Sequence, residues 1–318
     1  MKLLLIAPEI KRRSAVNNFS GVWSWYLSEE LKRRGIELRF GAPLHASKRA
    51  PANIIAHYRN LDIDGIDHIL ALGTRYFERV PRECGQILMS RFGGAVTQVH
   101  DAGRPETSCD CTFTLRSDRN NEHNHYVGWA ADHETIRPAQ IPGELRILVD
   151  HPDYGTVRPD HSEKIATECL AFVRSGVWRD SYSSVRLRRL VDGAIEDITS
   201  GAVGPYRRKP VSFEEVCAEY SKTHLFMVTH PESVGLTVLE TAMAGALPVV
   251  PSGFIQRDRL ATVRHFEHTG GIPWGDVLDR IDIAASRGTA IKNTWAAVAA
   301  RMLVYFKNFR REPRKRVA

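Results

Sequence analysis

The sequence predicts an α/β fold of two Rossmann-like βαβ domains that face each other across a cleft. The chain has 318 residues, more than the roughly 100–200 residues that are usual for one domain. Short apolar runs, typical of strands buried on both faces, alternate with amphipathic helical segments. The Pro- and Gly-bearing stretch RPAQIPGEL (137–145) separates two such series. We therefore expect an N-terminal domain over 1–142 and a C-terminal domain over 143–318.

The first forty residues predict a βαβ unit. KLLLIAP is an apolar run without polar alternation, as in a strand covered on both faces. The polar loop KRRSAVNNFSG follows, and GVWSWYLSEELKRRG then has helical periodicity, a basic end and a stop at Gly35. IELRFGAP predicts the second strand, parallel to the first because the connection contains a helix.

The remaining elements continue this alternation. In the first half the expected strands are DHILALG (67–73), GQILMS (85–90), AVTQVH (95–100) and CTFTLRS (111–117). In the second half we expect the strand RILVDH (146–151), the helix SEKIATECLAFVRSG, a strand near VRLRRLVDG, a helix from SFEEVCAEYSK, the strand LFMVTH, the helix SVGLTVLETAMAG, the strand LPVVP and the helix NTWAAVAARMLVYFKNF. Ser212 and Glu215 have the spacing of a capping box at the start of one helix.

Composition narrows the class of protein. With 43% hydrophobic and 25% charged residues, the chain resembles a globular enzyme. No run approaches the roughly 18 apolar residues of a membrane span, and MKLLLIAPEIKRR lacks a cleavage site of a secretory signal. Five cysteines, an odd number, indicate reduced thiols. We expect a cytoplasmic location, with peripheral attachment to a membrane as the alternative.

The basic C-terminal tail holds most of the net charge. Of the formal +7, residues 307–318 supply six Lys or Arg against one Glu, so the rest is nearly neutral. A nearly neutral body argues against a nucleic-acid-binding surface. The tail alone could contact an anionic membrane or nucleic acid, and a solvated terminus is the other interpretation.

Two glutamates, one before the helix and one within it, mark the helix that follows LFMVTH, which we expect to end at Gly245. Leu236, Leu239 and Met243 define its buried stripe, and Glu240 lies on or beside that stripe. A buried carboxylate costs several kcal/mol unless it is paired or hydrogen-bonded, so we expect a partner for it. Glu232 precedes the helix, in a loop at the carboxyl end of a strand, where open α/β sheets bind ligands.

The start of this helix predicts an anion site. The N–H groups of a helix start (Ser233, Val234, Gly235 and Leu236) suit a phosphate, and a glycine there permits close approach of a ligand. Glu240 could then accept hydrogen bonds from ribose hydroxyls, and Glu232 from a sugar ring. A ligand with ribose, diphosphate and sugar in that order is a nucleotide sugar.

The same stretch resembles a known family. Glu232, the seven residues SVGLTVL, Glu240 and then TAMAGALPVV are similar to the Glu-x7-Glu signature of retaining GT-B glycosyltransferases, the group 1 or family 4-like enzymes. NNFSGVWSWYLSEELKRRGIELRF resembles the first loop and helix of the family, with Gly21 as one of its usual paired glycines. AVTQVHDAGRPE resembles the strand whose terminal histidine lies in the cleft, here His100.

The resemblance implies a fold, an activity and roles for residues. It implies the GT-B fold and transfer of a sugar from a nucleotide-diphosphate sugar to a hydroxyl acceptor, with retained configuration and with no cofactor and no metal. Glu232 would position the donor sugar, Glu240 would bind the ribose, and His100 would contact sugar hydroxyls from the opposite domain.

One departure concerns the diphosphate. The family usually follows the first strand of its second domain with Gly-Arg, and a Lys within about one turn of the next helix. Here Asp150 and His151 follow the strand, and the basic candidates are Arg158 and Lys164. Their spacing alone does not show which of the two binds the diphosphate.

Other functions stay open. An epimerase or phosphorylase of the same fold would use a nucleotide sugar or sugar phosphate differently. A transferase or binding protein could act on nucleic acid through the tail. Cys109-x-Cys111 with His123-x-His125 matches no closed zinc module, so we predict no metal site.

Overall fold

The computed structural model describes residues 1–7, 19–41, 52–72, 82–100, 109–150, 159–191, 194–201, 211–231 and 235–309. In chain order the helices and strands are β1 (Lys2–Ile6), α1 (Phe19–Arg33), β2 (Glu37–Gly41), α2 (Ala52–Asn60), β3 (His68–Leu72), α3 (Arg82–Arg91), β4 (Val96–His100), β5 (Cys111–Thr114), β6 (Asn124–Tyr126), β7 (Glu144–Asp150), α4 (Pro159–Ser175), β8 (Ser184–Val191), β9 (Ala194–Asp197), α5 (Phe213–Lys222), β10 (Leu225–Met227), α6 (Leu236–Met243), β11 (Leu247–Pro251), α7 (Arg257–Leu260), β12 (Phe266–His268), α8 (Trp274–Asp279), α9 (Ile283–Ala290) and α10 (Trp295–Asn308).

These elements form two compact units. The first contains the described residues up to Trp129 together with those from Trp295 onward, and the second extends from Ala130 to Thr294. The sequence-based division at 142/143 differs from this one in two ways. The change of unit comes earlier, and α10 belongs to the first unit rather than to the second.

The first unit is built on a six-stranded parallel sheet in the order β2-β1-β3-β4-β5-β6. Its strands are short apolar runs; the last four residues of β1 are buried, as are those of β3. A parallel sheet covered by helices on both faces requires this continuous apolar character.

Aromatic contacts explain why α10 joins this unit. The Trp295 ring lies 4.9 Å from Trp23 and is stacked 5.5 Å from Tyr26, both on α1. At the other end of α10, the Phe306 ring is 4.8 Å from His68 and 5.5 Å from Phe113. Aromatic pairs at such separations add to the burial of their large apolar area. The last helix therefore closes the sheet formed by the first 129 residues.

The second unit has a six-stranded sheet in the order β12-β11-β10-β7-β8-β9. All neighbours are parallel except β8 and β9, which are antiparallel. A parallel neighbour needs a long crossover, whereas only two residues connect β8 to β9, so β9 turns back beside β8 as a hairpin.

Helices cover the two faces of this sheet separately. Ile147 and Val149 of β7 point into one core cluster with Ile165 and Cys169 of α4. That cluster also takes Met227, Val249 and Val277, but none of the buried α6 residues belongs to it. In a doubly wound sheet, successive crossovers that run in opposite directions place their helices on opposite faces. We therefore assign α4 and α8 to one face and α6 to the other.

Most predicted elements are confirmed, and one expectation is wrong. GQILMS lies within the helix α3 rather than in a strand, with Cys84 and Leu88 buried one turn apart. An apolar run this short does not distinguish strand from helix. The helix predicted from Gly21 is confirmed as α1, which begins two residues earlier, at Phe19.

Three further observations concern expectations about composition. All five cysteines are buried free thiols. Among the described residues, no helix is long and apolar enough to cross a membrane. Within those same residues, no group of three or more His, Cys, Asp and Glu side chains is arranged to hold a metal ion.

Candidate functional site

The switch point of the second sheet lies between β7 and β10. These neighbouring strands run parallel, with Ile147 opposite Leu225 and Val149 opposite Met227. The chain leaves β7 toward β8 on one side and leaves β10 toward β11 on the other. In open α/β sheets a crevice forms outside the carboxyl ends of the strands at such a point, and ligands bind there.

Three buried polar residues lie at the carboxyl ends of these two strands. The Thr229 hydroxyl donates a hydrogen bond to the carbonyl oxygen of Asp150. Nδ1 of His230 lies 3.9 Å from Oδ2 of Asp150, and both side chains are largely buried. This contact becomes an ion pair when the imidazole is protonated. The two strand ends are thus held together by polar groups at the floor of the crevice.

The helix α6 begins immediately beyond this floor with a bare N-terminus. Its N-cap is Gly235 in the left-handed conformation (φ 61°), and no side chain caps the helix there. The first intrahelical bond runs from the Leu239 N–H to the Gly235 carbonyl (3.1 Å). The N–H groups of Leu236, Thr237 and Val238 therefore lack an intrahelical acceptor. Together with the helix dipole, they provide a binding surface for an anion.

Gly235 has a clear conformational role in this arrangement. A positive φ costs an L-residue with a Cβ roughly 1–2 kcal/mol, which glycine avoids. Gly235 was expected in the first turn of the helix, and it lies one residue before the helix, at the N-cap. Gly235 therefore lies at the start of the helix, as predicted.

Glu240 is completely buried in the second turn of α6, with 0% of its surface exposed. Val238, Leu239 and Met243 are buried as well, while Leu236 is only half-buried. The expected buried stripe is therefore wrong at Leu236, which lies at the partly exposed start of the helix, whereas residues 238–243 are all buried. To bind a ribose hydroxyl, the Glu240 carboxylate would exchange contacts within the protein for contacts with the ligand.

The C-terminal end of α6 is fixed by a Schellman motif, as the sequence predicts for Gly245. Gly245 has φ 94° and donates to the Ala242 carbonyl, while the Ala246 N–H bonds the Thr241 carbonyl (both 3.0 Å). The Arg287 guanidinium of α9 donates to the Met243 carbonyl as well. These contacts hold the helix axis, and with it the bare N-terminus, in one position.

Lys164 is the phosphate candidate that the structure describes. It lies on α4, is exposed, and forms no ion pair within the described part of the chain. It lines a cavity of about 390 Å³ beside the carboxyl ends of β11 and β12. Lys164 therefore faces the same edge of the sheet as the switch point.

In the first unit, His100 is the last residue of β4 and is 4% exposed. The predicted position at the carboxyl end of a strand is confirmed. Gly21, in the first turn of α1, also follows the carboxyl end of its preceding strand, β1.

Several predicted site residues lie outside the described residues. They are His151, Arg158, Glu232, Ser233, Val234 and the tail from residue 310 onward. Their roles stay predictions. Thr229 and His230 were missed by the sequence analysis, and Asp150 was noted only as a departure from the family. Their common signal is that each is one of the last two residues of a predicted buried strand, RILVDH or LFMVTH.

Comparison with solved structures establishes the fold. No protein-family model and no curated protein matches the chain. The OtsA apo structure matches with a TM-score of 0.61 at 8% identity, over 98% of this chain and 100% of that one. HepE from Anabaena, in complex with UDP and glucose, matches with a TM-score of 0.55 at 10% identity, over 97% and 100%.

The chain has the GT-B fold. Another GT-B match is UDP-GlcNAc 2-epimerase from Neisseria meningitidis bound to UDP-GlcNAc, with a TM-score of 0.54 at 12% identity, over 96% and 98% of the two chains. At these identities the likeness concerns the fold. The GT-B fold agrees with the resemblance carried by Glu232 and Glu240.

Proposed function

We propose that this protein is a retaining glycosyltransferase that moves a sugar, a hexose or a related one, from a nucleotide-diphosphate sugar to a hydroxyl acceptor. The observation that carries the proposal is the bare N-terminus of α6 at the switch point of a GT-B fold. The N–H groups of Leu236, Thr237 and Val238, which lack intrahelical acceptors, and the positive dipole end suit a diphosphate. Glu240, one turn further along α6, supplies a hydrogen-bond acceptor for the ribose.

UDP is the first nucleotide to test. HepE is described in complex with UDP and glucose, and the Neisseria epimerase is bound to UDP-GlcNAc. The Glu-x7-Glu spacing of Glu232 and Glu240 supports a shared donor, with Glu232 on the sugar and Glu240 on the ribose. His100 would contact hydroxyls of the transferred sugar.

The chemistry requires stabilisation of a leaving group. The bond between the anomeric carbon and the diphosphate oxygen breaks, a bond to the acceptor oxygen forms, and the acceptor proton passes to the departing diphosphate. Charge therefore develops on the diphosphate in an oxocarbenium-like transition state. N–H dipoles already oriented toward that charge lower the barrier without reorganisation. Lys164 or Arg158 would add a positive charge, and the proposed reaction uses neither a cofactor nor a metal.

Donor binding and turnover test this proposal. Purified protein is screened by thermal shift against UDP, GDP and ADP sugars, because a bound donor stabilises the fold by mass action. Donor hydrolysis and transfer are then followed for Glu232→Gln, Glu240→Gln and the control Glu134→Gln, an exposed carboxylate of the second unit.

We expect both site variants to lower kcat/KM by roughly tenfold or more, since charged hydrogen bonds contribute about 1.5–3 kcal/mol. The control should match the wild type. Unchanged turnover in both site variants would refute the assigned roles.

An epimerase is the second candidate function. Its support is the structural likeness to UDP-GlcNAc 2-epimerase and the Asp150-His151 pair in place of the Gly-Arg usual in the transferase family. An epimerase converts the nucleotide sugar without an acceptor. Incubating UDP-GlcNAc with the enzyme alone and analysing the sugar by NMR separates the two reactions.

The acceptor and the location form the last part of the proposal. We place the enzyme in the cytoplasm, with residues 307–318 guiding it to an anionic acceptor or surface, either membrane or nucleic acid. Lys307 and Asn308 belong to α10, and Phe309 packs against His68, so the deletion is confined to residues 310–318. It should abolish salt-sensitive binding to anionic vesicles or to DNA. The same deletion should leave donor hydrolysis intact, because the donor residues lie elsewhere.

A further inference from the structure

The cavity beside β11 and β12 has a lining that, apart from Lys164, takes no part in the proposed reaction. Its volume is about 390 Å³, near the lower end for small-molecule sites. One wall is the face of α4 that carries His161, Lys164 and Glu168, spaced as one side of a helix. The other wall follows β11 and β12, with Ser252 and Phe254 from one loop and residues 268–271 from the next.

This cavity lies apart from the bare end of α6. It opens beside β11 and β12, two strand positions from the switch point, or roughly 10 Å at the usual spacing of strands. It also lies on the face covered by α4, whereas α6 covers the other face. A ribose held by Glu240 would therefore not occupy it.

The polar groups around the cavity suit a sugar. Oε1 of Glu168 accepts from the Ile272 N–H (2.5 Å), which orients the carboxylate and leaves Oε2 without a hydrogen bond among the described residues. The hydroxyls of Ser252 and Thr269 also lack hydrogen-bond partners in that part of the chain. Nδ1 of His268 donates to the Gly270 carbonyl (2.8 Å) and fixes the loop. Phe254 supplies an aromatic face, packed against His161 at 5.7 Å.

A cation stands at the exposed side of the same cavity. Lys164 is one helical turn before Glu168, yet the two form no ion pair, and no other described carboxylate pairs with Lys164. His161 lies one turn before Lys164 and is exposed. A ligand that directs hydroxyls toward Glu168 and an anionic group toward Lys164 would satisfy both ends.

We propose that this cavity binds a monophosphorylated sugar. The sugar hydroxyls donate to Glu168 and contact the hydroxyls of Ser252 and Thr269, while the phosphate pairs with Lys164 at the opening. In this proposal Lys164 serves the cavity, which leaves Arg158 as the cation for the donor diphosphate. The cavity then takes either an acceptor or a regulatory ligand. Its occupation does not depend on the proposed transferase activity.

Calorimetric titration tests this proposal on the full chain. The probes are a panel of hexose and pentose monophosphates that includes glucose 6-phosphate, with the matching free sugars and inorganic phosphate. Glu168→Gln should weaken binding of the phosphorylated sugar roughly tenfold, since a charged hydrogen bond is lost while the contact to Ile272 is kept. Ser252→Ala, on an exposed loop, should weaken it less.

Two matched comparisons locate the ligand. Lys164→Met should reduce the preference for the phosphorylated over the free sugar to nearly equal affinity. Glu163→Gln, an exposed carboxylate of the same helix that does not line the cavity, should behave as the wild type. Glu168→Gln should retain UDP affinity, whereas Glu240→Gln should lose UDP affinity and retain that for the sugar phosphate.

Specific results would overturn the proposal. They are no binding by any member of the panel, equal binding of inorganic phosphate and sugar phosphate, or wild-type affinity in both Glu168→Gln and Lys164→Met. Competition between UDP and the sugar phosphate would also overturn it, because the cavity would then be part of the donor site. Failure of the proposed transferase would appear in donor binding and turnover instead.

Discussion

Replacing Gly245 with alanine perturbs the position of α6, the helix with the bare N-terminus. Gly245 follows the helix in the left-handed conformation, with φ 94°. A Cβ added there would approach Cγ2 of Ile283 closer than van der Waals contact, and would lie 3.3 Å from its Cβ and 3.2 Å from its carbonyl oxygen. Ile283 is the first residue of α9, so the backbone on both sides resists displacement.

Two contributions determine how much stability Gly245→Ala should lose. Holding alanine in the left-handed region costs roughly 1–2 kcal/mol. Overpacking against Ile283 adds roughly 1–3 kcal/mol, because part of the clash is with backbone and a branched side chain. The free energy of unfolding should therefore fall by about 2–5 kcal/mol. For a unit of this size, that lowers Tm by roughly 5–15 °C.

Scanning calorimetry measures the change in Tm of Gly245→Ala, and a UDP titration measures the change in UDP affinity. The matched control is Gly288→Ala on α9, the helix that Gly245 contacts. Gly288 is exposed within a helix, and a Cβ there meets nothing within 4 Å. The same substitution should raise stability by roughly 0.5–1 kcal/mol, because glycine is unfavourable inside a helix.

The two variants should thus change Tm in opposite directions, and only Gly245→Ala should weaken UDP binding by shifting α6. If Gly245→Ala melts at the wild-type temperature, neither the positive φ nor the contact with Ile283 constrains the chain as argued. A decrease in Tm of similar size in Gly288→Ala would point to a general intolerance of substitution and contradict the same reasoning.

Three further predictions concern titratable side chains on β7 and next to it. Arg146→Met should lower the free energy of unfolding by roughly 3–5 kcal/mol in urea titrations, because it leaves Glu144 and Glu219 buried without their shared partner. Burial raises the pKa of Glu144, but hydrogen bonds and charge from Arg146 and Arg186 outweigh burial and hold that pKa below its usual value. The stability that the ionised Glu144 provides is complete above the pKa of about 4.3 that a glutamate has in the unfolded chain. It is lost as the pH falls through the lower pKa of Glu144 in the folded protein. Glu144→Gln should therefore flatten the dependence of Tm on pH in the acid range. Burial lowers the pKa of His224 to about 4. In the unfolded chain this histidine has a pKa of about 6.5, so between about pH 4 and 6.5 the unfolded chain binds more protons than the folded protein. The free energy of unfolding should therefore decrease as the pH is lowered through this window. An NMR titration of the imidazole with a midpoint near 6.5 would contradict this.

Patterns within short segments predicted most of the second unit correctly. The Ser212 and Glu215 spacing predicted a capping box, and both of its reciprocal hydrogen bonds are present at the start of α5. Gly245 was expected to end α6, and its conformation does so. Hydrogen bonds between residues three to five apart decide these features, so the local sequence contains the required information.

Elements with weak local signals were predicted poorly. GQILMS has too few apolar residues to show a period, and its helix depends on packing of Cys84 and Leu88 against the first sheet. The antiparallel β9 and the short β12 were not predicted. Edge strands such as these take their conformation from the neighbouring strand as well as from their own residues.

By itself, the sequence determined the βαβ alternation, the two-unit class and the position of Glu240 on the helix after β10. Only the tertiary structure decided that α10 packs on the first unit and that Asp150 and His230 meet at the switch point. It also decided that α4 and the ends of β11 and β12 enclose a cavity around Lys164 and Glu168. Periodicity and capping report on neighbours along the chain. These juxtapositions join residues far apart in sequence and follow from strand order and side-chain packing.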